Sequence, residues 1–345
     1  MFTCALTISI ARADEAAKVL PKEELEQLVA PIALHPDALV SQILMASTYP
    51  LEVVEAQRWV KANPGVTGDA LESAMQKEPW DPSVKSLTAF PEVLEMMSDE
   101  ISWTQQLGDA FLAQQEDVLA AIQDLRAKAD AAGNLKTTKE QKVEKQTVTT
   151  DSGKKETIIV VEPANPEVIY VPSYDPTVVY GTWAYPNYPP YYWYPPGYVA
   201  GRVFWFATGV AVGSALWGRC DWRRGDVNIN VNRYNSFNRT NITNNKWIHN
   251  SVHRKGVPYR DRNVANRYGK GRNDGRAQAR DKFRGRADAG RRGLAKVKPG
   301  DIKRPDLAGK RPDLGGKRPA APGKMPNISG KKPNLSAKKP AIKKP

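Results

Sequence analysis

Apolar residues recur at helical spacing from Lys22 to Gly133. Leu25, Leu28, Val29 and Ile32 mark one face, and Leu39, Ile43 and Leu44 mark the next. A longer run from about Ile101 carries Leu107, Phe111, Val118, Leu119, Ile122 and Leu125 and stops at Gly133. Pro36, Pro50, Pro82 and Pro91 fit a first helical turn, where the missing N–H has no partner to lose. Asp81 before Pro82 supplies an N-cap acceptor, and Thr67 is another candidate. Asn63-Pro64-Gly65 reads as a turn. Six or seven short helices over about 110 residues can bury one modest core, so residues 22–133 are expected to form a mainly α N-terminal domain.

Beyond Gly133 the period changes. "QKVEKQTVTT" and "KKETIIVVEP" flank Asp151-Ser152-Gly153 and predict a hairpin. "EVIYV" and "TVVYG" predict two more short strands, broken by Pro172 and Pro176, with Val168, Tyr170 and Pro172 on one side and Ile169 and Val171 on the other. Residues 143–181 therefore read as a small β appendage. Nine of the thirteen tyrosines lie between Tyr170 and Tyr198, interleaved with prolines that cannot donate to a sheet ladder. This makes 182–198 a Tyr/Pro linker. Its proline-fixed backbone presents rings at low entropic cost, which suits docking into a groove, self-association or a headgroup layer. Tyr170, Tyr174, Tyr180 and Trp193 are the candidate docking residues.

The next segment, Val199–Gly218, is apolar and glycine-rich, without charge from Val203 to Trp217. Gly197, Gly201, Gly209 and Gly213 would share one helical face, a spacing that lets helices approach closely in lipid. Two readings stand. One is a short or interfacial membrane segment, below the usual length of about twenty residues, flanked by Arg202 and Arg219 and contacting lipid through Trp205, Gly209, Gly213 and Trp217. The other is a buried glycine-rich hairpin or helix. In the Asn-rich stretch 219–250, Val227, Ile229 and Val231 alternate with asparagines, which predicts one exposed strand or polar disorder.

Charge divides the chain. The net formal charge is +14, yet residues 251–345 carry 29 Lys and Arg against 7 Asp, a surplus of +22 that leaves −8 on the first 250 residues. A mean hydropathy of −0.54 and 27 prolines argue that much of the chain does not pack. From Lys303 a seven-residue repeat runs through "KRPDLAG", "KRPDLGG" and "KRPAAPG" to the C-terminus. A proline in every period excludes a coiled coil, so 251–345 reads as an extended, disordered basic tail. Lys303, Arg304, Lys310, Arg311, Lys317 and Arg318 are its candidate polyanion contacts, rewarded by counterion release. Stacking aromatics are sparse there, with only Tyr259, Tyr268 and Phe283 beyond His249, which ranks nucleic acid as the second reading. At the other end, residues 1–13 read as a shortened signal peptide: Phe2–Ile10 is apolar, no basic residue precedes it, and Ala11-Arg12-Ala13 has a signal-peptidase form.

Candidate chemistry is thin. His35 reads as a loop or capping residue. His249 and His253, at i and i+4, have helical metal-ligand spacing without a third ligand. Cys220 lies between Arg219 and Arg223, which could depress its pKa, although an ordinary free thiol is the plainer reading. "GKGRNDGR" follows no strand and is not a phosphate loop. The expectation is therefore a non-enzymatic protein without cofactor or metal.

"LEQLVAPIALHPDALVSQILMASTYPLEVVEAQRWV", "EPANPEVIYVPSYDPTVVYG", "GVAVGSALWGRCDWRRGDVNINVNRYN" and "HRKGVPYRD", in that order, resemble a bacterial family known only as a domain of unknown function, the YacH-like group of envelope proteins. The resemblance spans about Lys22 to Tyr268. It implies export to the cell envelope and brings no activity or catalytic residue with it. Taken together, these readings point to an envelope-associated structural or binding protein. Its tail would contact anionic envelope polymers or lipids, and its Tyr/Pro window a protein partner or a second copy.

Overall fold

The computed structural model describes residues 19–149, 155–195, 198 and 203–269. The expected signal segment, the tip of the first hairpin, Gly197, Gly201 and Arg202, and the repeats from Lys303 lie outside the described residues.

The helical expectation for 22–133 holds. Eight helices follow in order: α1 (Lys22–Val29), α2 (Asp37–Ser47), α3 (Pro50–Ala62), α4 (Gly68–Met75), α5 (Pro82–Leu87), α6 (Pro91–Asp99), α7 (Ile101–Ala113) and α8 (Gln115–Ala131). Prolines open α3, α5 and α6, and the Asp81 carboxylate accepts the Ser83 amide at the start of α5. Thr67 precedes α4 without a side-chain cap bond. Helix α2 is apolar nearly all round and is buried from Leu39 to Ser47, so it becomes the axis against which α3, α5 and α7 pack. At its end Gly108 of α7 crosses so closely that a Cβ would collide with the Ser47 carbonyl. Each buried Leu, Ile or Val of this cluster contributes about 1.5–3 kcal/mol by leaving water.

Strands β1 (Gln141–Thr149) and β2 (Lys155–Pro163) form the expected antiparallel hairpin, in register from Gln141 opposite Pro163 to Thr149 opposite Lys155. Ile158, Ile159 and Val161 turn inward, and the Gln123 side chain of α8 bonds both the amide and the carbonyl of Ile159. β3 (Val168–Ile169) falls within the expected "EVIYV" strand, whereas β4 (Pro172–Ser173) begins on the proline that was expected to break it. β3 pairs with β6 (Val210–Ala211), and β4 with β5 (Trp205–Phe206). "TVVYG" is no strand. Asp175 caps the Thr177 amide, Pro176 takes the first helical position, and one short helix, α9 (Pro176–Val179), results.

The described part of the glycine-rich segment packs within the protein, as in the second of its two readings, but as neither a helix nor a hairpin of its own: its strands pair with β3 and β4. Residues 203–218 are extended strands and turns rather than a helix, and they cover the helical body. A Cβ on Gly209 would sit 2.6 Å from Val168 Cγ1 and 2.8 Å from the Tyr170 ring, so glycine serves a close approach within the protein. No described helix is long and apolar enough to cross a membrane. The Asn-rich stretch is also corrected. β7 (Gly218–Asp221) and β8 (Asp226–Ile229) form a hairpin that buries Val227. Asn230 then caps α10 (Val231–Asn238), so Val231 starts a helix instead of continuing the alternation. The final described helix is α11 (Arg262–Gly269).

Two buried arginines hold the later segments onto the helices. Arg126 of α8 donates to the carbonyls of Ala33 (2.8 Å), His35 (2.9 Å) and Ile159 (2.8 Å) and to the Asp37 carboxylate (2.6 Å). Trp222, in the β7–β8 turn, stacks 4.8 Å from the guanidinium and donates its indole N–H to the other Asp37 oxygen. Arg254 donates to Asp109 (2.6 Å) and to the carbonyls of Thr48, Val257 and Pro258, under the Tyr259 ring. The appendage, the glycine-rich segment and the β7–β8 hairpin thus share one core with the helices, through Val161, Ile169, Tyr180, Leu216 and Val227, and Trp183 and Trp193 of the linker pack against it.

Candidate functional site

The Tyr/Pro window lies along α1 as a strap. Its entry is fixed by Tyr174 and Tyr180, whose hydroxyls both donate to the Ala30 carbonyl at 3.0 and 2.6 Å, while the Leu34 amide donates to Tyr174 at 3.1 Å. Burial pushes both phenols up, with the hydrogen bond from Tyr180 opposing the rise at Tyr174, so both remain neutral donors. The Trp183 indole N–H closes on the Tyr188 carbonyl, and Lys128 rides 5.0 Å above the Tyr185 ring while pairing with buried Glu26. Further along, the Gln27 side-chain amide donates to the Pro189 carbonyl at 2.6 Å, and the Tyr191 hydroxyl reaches Gln106 at 3.3 Å.

Between the strap and the helices opens a cleft of about 290 Å³. One wall is Pro189, Pro190, Tyr191, Tyr192 and Trp193; the other is Gln27 and Pro31 beside α1 with Met96, Glu100 and Trp103 at α6 and α7. Tyr192 is 63% exposed, and the Trp103 indole N–H is already spent on the Leu28 carbonyl at 2.8 Å. Pro31, Met96 and Trp193 also line a second, small cavity of about 20 Å³, so the two spaces adjoin. His35, Glu92 and Ser173 bring polar groups to this inner end. His35 is 3% exposed and its Nδ1 has no hydrogen-bond partner. Burial, with the Arg126 charge adding to it, holds its pKa down at about 3, so the ring is neutral. Burial, then Glu95, raises the pKa of Glu92. The arrangement is concave and lined mostly by aromatic, proline and aliphatic side chains, with a few convergent polar groups, which is the make-up of a binding site.

Of the four candidate docking residues, Trp193 lines both spaces and Tyr174 lines the inner one. Tyr174 and Tyr180 are buried anchors, and Tyr170 packs its ring against Gly209. Of the candidate membrane contacts, Trp217 is 1% exposed, donates to Ser86 Oγ at 2.7 Å and meets Tyr234 edge-on, so it belongs to the core. Trp205 is half-buried in β5, Gly209 sits under Tyr170, and Gly213 adopts a left-handed turn conformation. Lys303, Arg304, Lys310, Arg311, Lys317 and Arg318 lie outside the described residues. Sequence reading missed Tyr191, Tyr192, Trp103, Glu100 and His35. The "PPYYW" run was a signal for the strap wall, but nothing local ties it to helices more than eighty residues earlier.

The remaining candidates are accounted for. His249 is not on a helix; its Nδ1 faces Thr48 Oγ1 and its Nε2 the Tyr259 hydroxyl, between the rings of Tyr49 and Tyr268. His253 pairs instead with buried Glu52 at 3.0 Å. Among the described residues no group of three or more His, Cys, Asp or Glu is placed to hold a metal. Cys220 is buried, and burial, with the Asp37 charge adding to it, pushes its thiol up rather than down.

The fold is thus a mainly helical domain wrapped by short antiparallel strand pairs and an aromatic strap. Residues 21–256 match the family described as "Protein of unknown function (DUF3300)", and the chain belongs to that family. It is also similar to "Uncharacterized protein YacH" of Escherichia coli (strain K12), 40% identical over 305 residues, covering 71% of this chain and 49% of that protein. The chain therefore spans about half the length of this curated relative. No solved structure matches.

Proposed function

We propose that this is a non-enzymatic binding or structural protein of the bacterial cell envelope, exported to the periplasm or held at a membrane surface. The observation that carries the reading is the strap cleft: an aromatic wall with Tyr192 exposed, fixed to rigid helices by the Tyr174, Tyr180 and Gln27 bonds. Rings held in place lose little entropy on binding, so such a wall serves recognition. Export is supported by the apolar Phe2–Ile10 run before Ala11-Arg12-Ala13. The +22 surplus of residues 251–345 suits contact with anionic envelope polymers or lipids, beside a body that carries −8. The same charge favours a second reading, sequence-independent binding of nucleic acid in the cytosol.

Titration of a peptide covering Lys296–Pro345 with anionic lipid vesicles and with duplex DNA tests the tail. Similar affinities that fall steeply with salt are expected. A preference for one DNA sequence that persists at high salt would favour the second reading.

A further inference from the structure

We propose that the strap cleft is a saccharide-binding site, taking the pyranose rings of an uncharged glycan on its aromatic wall and one sugar donor at its inner polar end. This rests on the reading of the cleft as the protein's binding surface and names the ligand that surface would take.

Three observations converge. The first is the balance of donors and acceptors. The Trp103 indole, the Tyr191 hydroxyl and the Gln27 side-chain amide face the cleft but are engaged with the Leu28 carbonyl, Gln106 and the Pro189 carbonyl. What is left offers both kinds of group: acceptors in the Glu100 carboxylate at the mouth and Glu92 at the inner end, and donors in the Tyr192 hydroxyl, the Trp193 indole N–H and the Ser173 hydroxyl. A ligand suited to this cleft brings O–H donors together with oxygen acceptors. A proline-rich peptide brings mainly carbonyl acceptors and would leave the two carboxylates without donors. A glycan brings hydroxyls at every ring.

The second is charge. Glu100 and Glu92 line the two spaces and no Lys or Arg does, so a phosphate or carboxylate polymer is repelled here and an uncharged one is not. The polyanion contact proposed for the tail and the ligand of the cleft are therefore chemically different.

The third is His35. The residue lines the inner end, and its buried Nδ1 has no partner in a domain where buried polar atoms otherwise find one almost everywhere. A neutral imidazole can take a hydrogen bond from a sugar hydroxyl or amide without any change of charge. The room there, about 20 Å³, admits one small substituent, while the 290 Å³ mouth admits the ring. C–H-rich pyranose faces stack on indole and phenol rings, which Trp193 and exposed Tyr192 provide.

The test is titration of the full chain with cellotetraose and with N-acetylchitotetraose, read by tryptophan fluorescence and calorimetry. A decaproline peptide and heparin are titrated in parallel. Saturable binding of at least one tetrasaccharide is expected, with no effect of heparin on the Trp193 signal. Tyr192→Ala, a surface change, should weaken it about tenfold and Glu100→Gln about threefold, with unchanged circular dichroism. His35→Leu should abolish it; if that variant does not fold, Tyr192→Ala and Glu100→Gln still decide. Decaproline binding that Tyr192→Ala removes, with neither sugar binding, overturns the saccharide assignment and leaves the cleft a binding site. No tetrasaccharide or decaproline binding, together with unchanged envelope retention of Tyr192→Ala, overturns both.

Discussion

Arg126 gathers three carbonyls and one carboxylate from the α1–α2 turn, β2 and the head of α2. Removing a partner from a buried charge cluster leaves the rest desolvated, so Arg126→Met should cost about 3–5 kcal/mol, measured as the shift in urea midpoint. Histidines supply a second residue-scale prediction. His35 and His249 have pKa values held at about 3, in both cases chiefly by burial, with Arg126 acting on His35 and Arg254 and His253 on His249. Unfolded, each titrates near 6.5, so the unfolded chain binds protons first and stability falls as pH drops below about 6.5. His253 has the opposite sign. Its hydrogen bond to Glu52 raises its pKa, so its stabilisation is complete below 6.5 and is lost as pH rises through the folded value. The carboxyls of Asp81, Glu92 and Asp109, raised chiefly by burial, share the sign of His253, and the two depressed histidines are expected to outweigh all four between pH 5 and 7. At pH 5 each buried ring should cost on the order of 2 kcal/mol, and thermal melts should show a lower Tm at pH 5 than at pH 7. His249→Phe should flatten that profile.

At the scale of elements, the helical domain was legible, expected as six or seven helices and found as eight, because apolar period and the proline and Asp81 starts are local signals. The hairpin of two nine-residue strands was legible for the same reason. What failed were short segments whose state is set by a partner far along the chain. β3 meets β6 about forty residues later, and Gly209 is extended because Tyr170 lies on it. Local alternation carried Val231 into a strand, while the Asn230 side chain, bonding the Arg233 amide, started a helix there. The cleft was half legible, since the strap wall is in "PPYYW" but its helical wall comes from two separate stretches. The strap's own stability belongs at this scale. Tyr180→Phe removes a 2.6 Å bond to the Ala30 carbonyl, which Tyr174 also serves. A loss of about 1 kcal/mol is expected, with faster amide exchange at Tyr188 and Tyr191 and little change in α2. Equal acceleration in α2 would mean that the strap is not a separate opening unit.

Over the whole molecule, charge and fold divide the work. The described helices, hairpins and strap share one core, with an aromatic cleft whose lining is acidic where charged, while the cationic surplus belongs to residues 251–345. On the proposed reading, Glu100 and the tail repeats would select different kinds of ligand, one uncharged and the other anionic. An envelope provides both glycan and anionic surface, which is why export is the claim on which the account turns. The most direct measurement is the mature N-terminus and the cell fraction of the natural protein. The account predicts a chain beginning at Asp14, after Ala11-Arg12-Ala13, in the envelope fraction. An unprocessed chain confined to the cytosol would contradict it.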